Sequence, residues 1–423
     1  RLEDRNALLA EIEPEVIERV LDHNRRQAFV LGVDQYRSQT RLHEFRDLMS
    51  QLESEGFLDR RAEHLPDREA LRTRRAVFLG LTRPELAVLL AHTKRALQQA
   101  VLESRLPDDP FFETFLRGYF PEAVNQRFGL AVRSHLLRRE IVAVELANTV
   151  VDRLGLTFVH RIARDSGADA TTVIRAASLL GPLFDWDTVW QEILTSPAAS
   201  WETQRRCALA LEEGLDRATR WYLETQPSDV PATEMFAAME RAVQPLIQRT
   251  PEVFGREGQK QFESWIQELV QQGIAERAAR QLALLSRAAE VLDIAEVAAG
   301  LEVDSALVAE AYYGVGERLS LHWLRETVRT LPAEDRWERR AVYEVLRDLD
   351  AAQRQLTCQV LGCAEAGTGV DHCLARFADL QREGMESVAG LIRDLQAGRR
   401  LTLAAAVVAT RELLRLAQRG ETP

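Results

Sequence analysis

The spacing of the apolar residues constrains this chain more than any other feature: they almost never alternate with polar ones, and nearly everywhere they return at three- and four-residue intervals. Alternation is what a half-buried strand requires, whereas a return every three or four residues lines one face of a helix. Between 81 and 102, Leu86, Leu89, Leu90, Leu97 and Val101 share such a face. Thr82, with Glu85 three residues on and Pro84 between them, forms a capping box that starts the helix. The segments are filled with Ala, Leu, Glu, Arg and Gln, which lose least on entering a helix. The expected fold is all-α, a bundle-like array of many helices with no sheet of more than two strands.

The same punctuation predicts helix starts at Asp109-Pro110, Ser196-Pro197 and Thr250-Pro251. From 136 to 151, Leu137, Ile141, Val144, Ala147, Asn148 and Val151 lie along one stripe that Gly155 ends, which leaves Asn148 as a polar group on an apolar face. Thr195–Ala199 and Gln226–Thr233 collect Ser, Pro, Asp and Thr and read as connectors. Three regions follow: a helical domain over 1–195, extended charged helices over 196–290, and a second helical module over 291–423. The charge of the middle region equally describes a plain solvated helix pair. Gly167, Gly181 and Trp190 recur as Gly300, Gly314 and Trp323 at a constant offset, each set with a capping Asp after its first Gly (Asp169, Asp304). Two copies of one helical module explain this, and so does chance likeness between Ala-rich helices.

Charge excludes one class of partner. A net charge of −11 with arginines scattered among acids opposes binding to a phosphate backbone, so no nucleic acid is expected. The longest apolar stretch, Leu401 to Ala409 with Thr402 inside it, is far short of the roughly 20 residues a bilayer requires. No membrane association and a cytoplasmic location are expected. The opening Arg1-Leu2-Glu3-Asp4 reads as a cut inside a longer protein. Cys207, Cys358, Cys363 and Cys373 are too few and too unevenly placed to staple the chain, so no disulfides are expected. Lys94 and Lys260 are its two lysines, which leaves little scope for amine chemistry.

No motif carries a reaction. Gly314-Val315-Gly316 begins like a dinucleotide loop, but Leu319 stands where a third Gly belongs and a helix, not a strand, precedes it, so a helix–helix corner is expected. Cys358, Cys363, His372 and Cys373 include soft ligands without the paired spacing of a zinc site. His92, His135, His160 and His322 lack partner spacing and read as satisfied structural histidines. Ala163, Gly167 and Val173 have the spacing of a helix–turn–helix, but Asp165 and Asp169 oppose DNA entry. The expected catalytic, cofactor and metal residues within the chain are none.

Several segments in order carry a resemblance. They are Arg5-Asn6-Ala7-Leu8-Leu9; Leu81-Thr82-Arg83-Pro84-Glu85-Leu86-Ala87-Val88-Leu89-Leu90; Tyr119-Phe120-Pro121; Leu137-Arg138-Arg139-Glu140-Ile141 through Leu146-Ala147-Asn148 to Thr157-Phe158-Val159-His160-Arg161; and Gly316-Glu317-Arg318-Leu319 with Trp323-Leu324-Arg325. Together the chain resembles the C-terminal helical region of the large bacterial NAD-specific glutamate dehydrogenases, over residues 5 to about 340. The resemblance implies a parent that converts L-glutamate, NAD⁺ and water to 2-oxoglutarate, ammonium and NADH, with glutamate and NAD held upstream of Arg1. NAD is thus implied for the parent and no cofactor for this region. Neither lysine matches the family's catalytic motif. The implied partners are the upstream catalytic domains and further copies of the parent chain in a homo-oligomer. A supporting or oligomerising role, a metabolite-binding regulatory module and a stand-alone adaptor remain as alternatives. Where the resemblance is densest, 78 to 162, Arg83, Arg138, Arg139 and Arg161 accompany Phe78, Phe120 and Phe158, a composition suited to a docking face and equally to a well-packed core.

Overall fold

Helical periodicity and capping translate directly into structure. The computed structural model describes residues 2–227, 229–333, 336–364, 368–398 and 401–419, and among them form 21 α-helices, three short 3-10 turns and no strand. The chain divides into two compact units. Residues 1–238 with 265–289 make the first, and 239–264 with 290–423 the second. Residues 196–290 are thus shared between both.

The first unit opens with the long α1 (Leu2–Thr40), followed by α2 (Leu42–Ser54), α3 (Arg68–Ala76) and α4 (Arg83–Glu103). The Glu85 carboxylate accepts the Thr82 N–H at 2.7 Å and is gripped by both terminal nitrogens of Arg74, at 2.7 and 2.8 Å. That fastens the first turn of α4 to α3. After α5 (Glu113–Tyr119) and α6 (Glu122–Arg133) comes α7 (Arg138–Leu154), where Ile141, Ala147 and Val151 of the predicted stripe are buried, Val144 and Asn148 are half-buried, and Leu137, just before the helix, is exposed; Leu146 and Val150 complete the buried face. Gly155 ends α7 at φ +92°, where a side chain would be strained. A Cβ there would also stand 2.0 Å from the Arg37 guanidinium and 2.8 Å from the Asp34 carboxylate.

Next come α8 (Phe158–Ser166), α9 (Ala170–Leu183), α10 (Trp186–Thr195), α11 (Trp201–Thr225) and, later in the chain, α14 (Glu276–Leu285). α11 packs on α7, α8, α9, α10 and α14, and it buries Leu211, Leu215 and Ala218 together with Glu212 and Asp216. Against α1, α2, α4 and α7 a core forms from Val30, Phe45, Met49, Leu52, Leu86, Leu89 and Val151. Burial of each such side chain contributes about 1.5–3 kcal/mol.

The three predicted starts differ from plain α-helix starts: Asp109 caps a 3-10 turn, Pro110–Phe112, that runs into α5. Ser196 caps the end of α10 and its hydroxyl donates to the Gly273 carbonyl at 2.6 Å, so Ser200 takes over as the cap of α11. Thr250-Pro251 leads into a 3-10 turn, Glu252–Phe254, before α13 (Gly255–Gln271). α12 (Ala232–Gln248) precedes it.

The second unit contains α15 (Ala288–Leu301), α16 (Ser305–Arg318), α17 (Leu321–Arg329), α18 (Arg336–Gly362), α19 (Val370–Leu380), α20 (Arg382–Ala397) and α21 (Leu403–Gln418). α18 turns Val345, Leu349, Ala352, Leu356 and Val360 inward, toward Ala406, Ala409, Leu413 and Leu416 of α21. Gly314 and Gly316 lie inside α16 and make no corner. A Cβ on Gly314 would meet Leu374 at 2.5 Å and one on Gly316 would meet Gln353 at 3.0 Å, so the lost side chains admit α19 and α18.

Turns, caps and buried positions recur between the two units, in a different register from the one the glycines and tryptophans suggested. Left-handed residues recur as Gly167 and Glu302, then as Asp185 and Ser320. Capping aspartates recur as Asp169 and Asp304. Buried Val173, Ala176, Leu180, Val189 and Ile193 match Val308, Ala311, Val315, Leu324 and Val328. In this register Gly181 corresponds to Gly316 and Trp190 to the buried Arg325. Backbone turns, caps and buried positions thus recur at one offset, two residues from that of the Gly and Trp identities.

Candidate functional site

Three features of the first unit could carry function: a buried charge network, a titratable cleft, and an exposed apolar surface. The network is built where α1, α2, α8 and α11 meet. Arg37 donates to Asp34 at 2.7 Å and to Glu212 at 3.3 Å, and Asp34 in turn accepts the Leu156 N–H at 2.9 Å. Arg161 donates to Glu212 at 2.6 Å and to Asp216, which also accepts from Arg220 at 2.5 Å. Glu44 stands 3.7 Å from Arg161 and accepts the Thr157 hydroxyl at 2.9 Å. Burial alone would raise the acids of Asp216 and Glu212. Arg161 with Arg220, and Arg37 with Arg41 and Arg161, instead hold both below the usual carboxylate range. Each carboxylate of the network faces a guanidinium, so the network fixes the crossing of four helices.

The cleft lies among α1, α5 and α7, encloses about 250 Å³, and is lined by charged and polar groups that include His23, Arg26, Glu145, Asn148 and Asp152. The polar residue foreseen on the α7 stripe, Asn148, therefore faces a polar space. Lys94 reaches Asp152 at 2.6 Å from the side of α4. Burial pushes the Lys94 amine down and the Asp152 and Glu145 carboxyls up, while Lys94 and Asp152 oppose these shifts in each other. The amine serves as partner to Asp152 and is not among the groups lining the cleft, so it is poorly placed as a nucleophile.

The seven residues singled out from the sequence separate by depth. Phe78 is 80 % exposed at φ +56°, between the exposed Val77 and Leu79. Arg83 is exposed and donates to the Ala28 carbonyl at 2.7 Å. Arg138 and Arg139 pair with Asp108, and Arg139 also donates to the Leu102 and Ser104 carbonyls. Phe120 is half-buried beside Tyr119 and His135. Phe158 and Arg161 lie inside the unit, Phe158 in the core and Arg161 in the network. Sequence reading missed the other exposed apolar groups nearby, Phe128, Leu130 and the 97 % exposed Leu136. Among the described residues, thirteen of the twenty-one exposed large apolar side chains fall between Leu9 and Leu137, so exposed apolar groups are unevenly distributed along the chain.

In the second unit Tyr312 donates to Asp293 at 3.0 Å, Gln353 donates to the Tyr312 carbonyl at 2.8 Å, and Arg325 joins Gln353 to Asp350. Burial raises the Asp293 carboxyl to about 6 against the pull of Arg354. Cys358, Cys363 and Cys373 are free thiols, and among the described residues no three His, Cys, Asp or Glu side chains group to hold a metal. Nor, among those residues, is any helix long and apolar enough to cross a membrane.

Comparison with known proteins adds a separate line. A family described as "Glutamate dehydrogenase, C-terminal" matches residues 79–415. The NAD-specific glutamate dehydrogenase of Pseudomonas aeruginosa is 31 % identical over 421 residues, 99 % of this chain. Those of Halomonas elongata and Mycobacterium tuberculosis are 32 % and 30 % identical over 98 % of it. This chain spans 26 % of the length of each relative.

Proposed function

Because the chain belongs to the glutamate dehydrogenase C-terminal family, we propose that it is the non-catalytic helical region of an NAD-dependent glutamate dehydrogenase and docks on that enzyme's catalytic domains. The parent reaction would be oxidation of L-glutamate with NAD⁺ and water to 2-oxoglutarate, ammonium and NADH, carried out by domains upstream in the same protein. The region between 78 and 162 would supply the docking face and support subunit assembly in a homo-oligomer.

The observation that supports this reading is the run of exposed large apolar side chains within this stretch of sequence, Phe78 before the start of α4 and Leu130, Leu136 and Leu137 before α7. A soluble chain seldom leaves so many large apolar groups together in sequence without a partner for them. In sequence Arg83 follows Phe78, and Arg138 and Arg139 follow Leu137; arginine mixed with aromatics is enriched at interfaces. Phe158 and Arg161 would act from beneath, by holding α8 against α11.

The test uses Phe78→Ser with Leu136→Ser, in the 423-residue chain and in the complete protein. The chain should melt within roughly 2 °C of its unsubstituted form, as expected for exposed positions, while the complete protein loses assembly or activity. A complete protein that assembles and turns over normally removes the docking face.

A further inference from the structure

A pocket that shares no residue with the titratable cleft opens between α2 and α3. It encloses about 330 Å³, and the charged groups lining it are Arg46 and Asp47 of α2 with Arg68, Arg72 and Arg75 of α3. Its apolar lining is Leu42 and Leu71, both buried. The three arginines of α3 share one face because they stand four and three residues apart. Four guanidiniums thus meet one carboxylate, on a chain whose net charge is −11. So positive a pocket runs against the composition and is a local property of these two helices.

The one carboxylate is already engaged on both sides. Asp47 accepts from Arg46 at 2.7 Å through Oδ1 and from Arg164 at 2.7 Å through Oδ2. Arg68, Arg72 and Arg75 are exposed and make no hydrogen bond or ion pair among the described residues. Their neighbour Arg74, which does not line the pocket, grips Glu85 with both terminal nitrogens. The acids of the α3 start do not answer the other three: Asp67 accepts the Ala70 N–H at 2.8 Å, and Glu69 is not among the lining groups. Like charges three and four residues apart on a helix repel. An anion between the guanidiniums would relieve that repulsion.

Guanidinium groups pair bidentately with phosphate and carboxylate oxygens. Arg68 and Arg75 stand about 10 Å apart along the helix axis, so with Arg72 between them they suit two or more anionic centres better than one. A monoanion would leave most of this charge unanswered. A nucleic-acid strand would carry its further phosphates onto an acidic chain, whereas a small molecule need touch only the pocket, whose volume lies at the lower end of the range for ligand sites. We propose that the α2–α3 pocket binds a small polyanion, a molecule with two or more phosphoryl or carboxylate groups, held by Arg68, Arg72 and Arg75 with Arg46 beside them.

The test is calorimetric titration of the complete protein with tripolyphosphate and with tricarballylate, against acetate as a monoanion and hexa-aspartate as an acidic peptide. One or both small polyanions should bind saturably and about tenfold or more tighter than acetate, and the tighter of the two identifies the anionic group. Arg68→Gln with Arg72→Gln should weaken that binding about tenfold or more without lowering the unfolding temperature, since both side chains are exposed. Arg95→Gln with Arg105→Gln, which removes the same charge at exposed positions outside the pocket, should change it less than about twofold. The two pairs also separate this pocket from any anion site elsewhere in the complete protein. Absence of saturation at millimolar polyanion, binding unmoved by the pocket pair, or equal weakening by both pairs would each overturn the assignment. Tighter binding of hexa-aspartate would do so by giving the pocket to an acidic protein segment. Weakening that comes with a fall in unfolding temperature would do the same, since it makes the arginines structural.

Discussion

Replacing Arg161 by Ala removes the partner of three buried acids at once. The guanidinium reaches Glu212 at 2.6 Å, touches Asp216, and stands 3.7 Å from Glu44, and its side chain is only 13 % exposed. Asp216 would retain Arg220, and Glu212 would retain Arg37 at 3.3 Å and Arg41 at 3.6 Å, so the acids are weakened in pairing but not stranded. Stranding a buried charge costs about 3–5 kcal/mol, and because these acids keep other guanidinium partners the expected loss is about 1–3 kcal/mol. For a unit of this size that lowers the melting temperature by on the order of 5 °C. The assay is chemical and thermal unfolding of the 423-residue chain, followed by circular dichroism at several pH values.

The pH dependence carries the mechanism. In the native chain the Asp216 carboxyl lies below its unfolded value, because Arg161 and Arg220 outweigh its burial. A depressed carboxylate contributes stability that is present above its unfolded pKa of about 4 and is lost as pH falls through its folded value. Arg161→Ala raises the folded value, so the penalty should be full near neutral pH and shrink as pH falls below about 4. Arg83→Ala, at an exposed residue whose recorded bond is to one carbonyl, should cost less than about 0.5 kcal/mol at any pH. An Arg161→Ala penalty below about 1 kcal/mol, or one that does not change with pH, would refute the account of the network as buried paired charge.

Two further outcomes follow from the same unit. Burial, with Arg164, pushes the His160 imidazole down to about 4 against the opposing pull of Asp47, Asp165 and Glu44. The unfolded chain therefore binds this proton first: stability is full above about 6.5 and falls by about 3 kcal/mol as pH drops to about 4. His160→Gln should flatten that part of the unfolding-free-energy profile, and an unchanged slope counts against a buried neutral imidazole. Gly155→Ala, at φ +92° and with a Cβ 2.0 Å from Arg37, should destabilise by more than about 2 kcal/mol; a chain that denatures at the same urea concentration contradicts the close approach.

The local features of this chain were open to sequence reasoning because their causes are local. Glu85 beneath Thr82, Asp169 and Asp304 at helix starts, Gly155 at the end of α7 and the Ile141–Val151 stripe act within a few residues. An all-helical fold follows from such signals, since capping and three- to four-residue periodicity act within single turns. Where local rules competed, reading failed: Ser196 looked like a cap, but a carbonyl 77 residues away holds its hydroxyl.

What belongs to tertiary structure is the fate of the inward polar groups. Periodicity marks the face of α11 that turns inward, yet nothing in the sequence couples Glu212 and Asp216 to Arg161, 51 and 55 residues earlier. That pairing depends on how α8 crosses α11, and so does the depth of Arg161, read from sequence as a surface candidate. The sequence alone determined the helices, their ends and the family likeness, because each is written in neighbouring residues; the assembled helices decided which charges are answered and which are exposed.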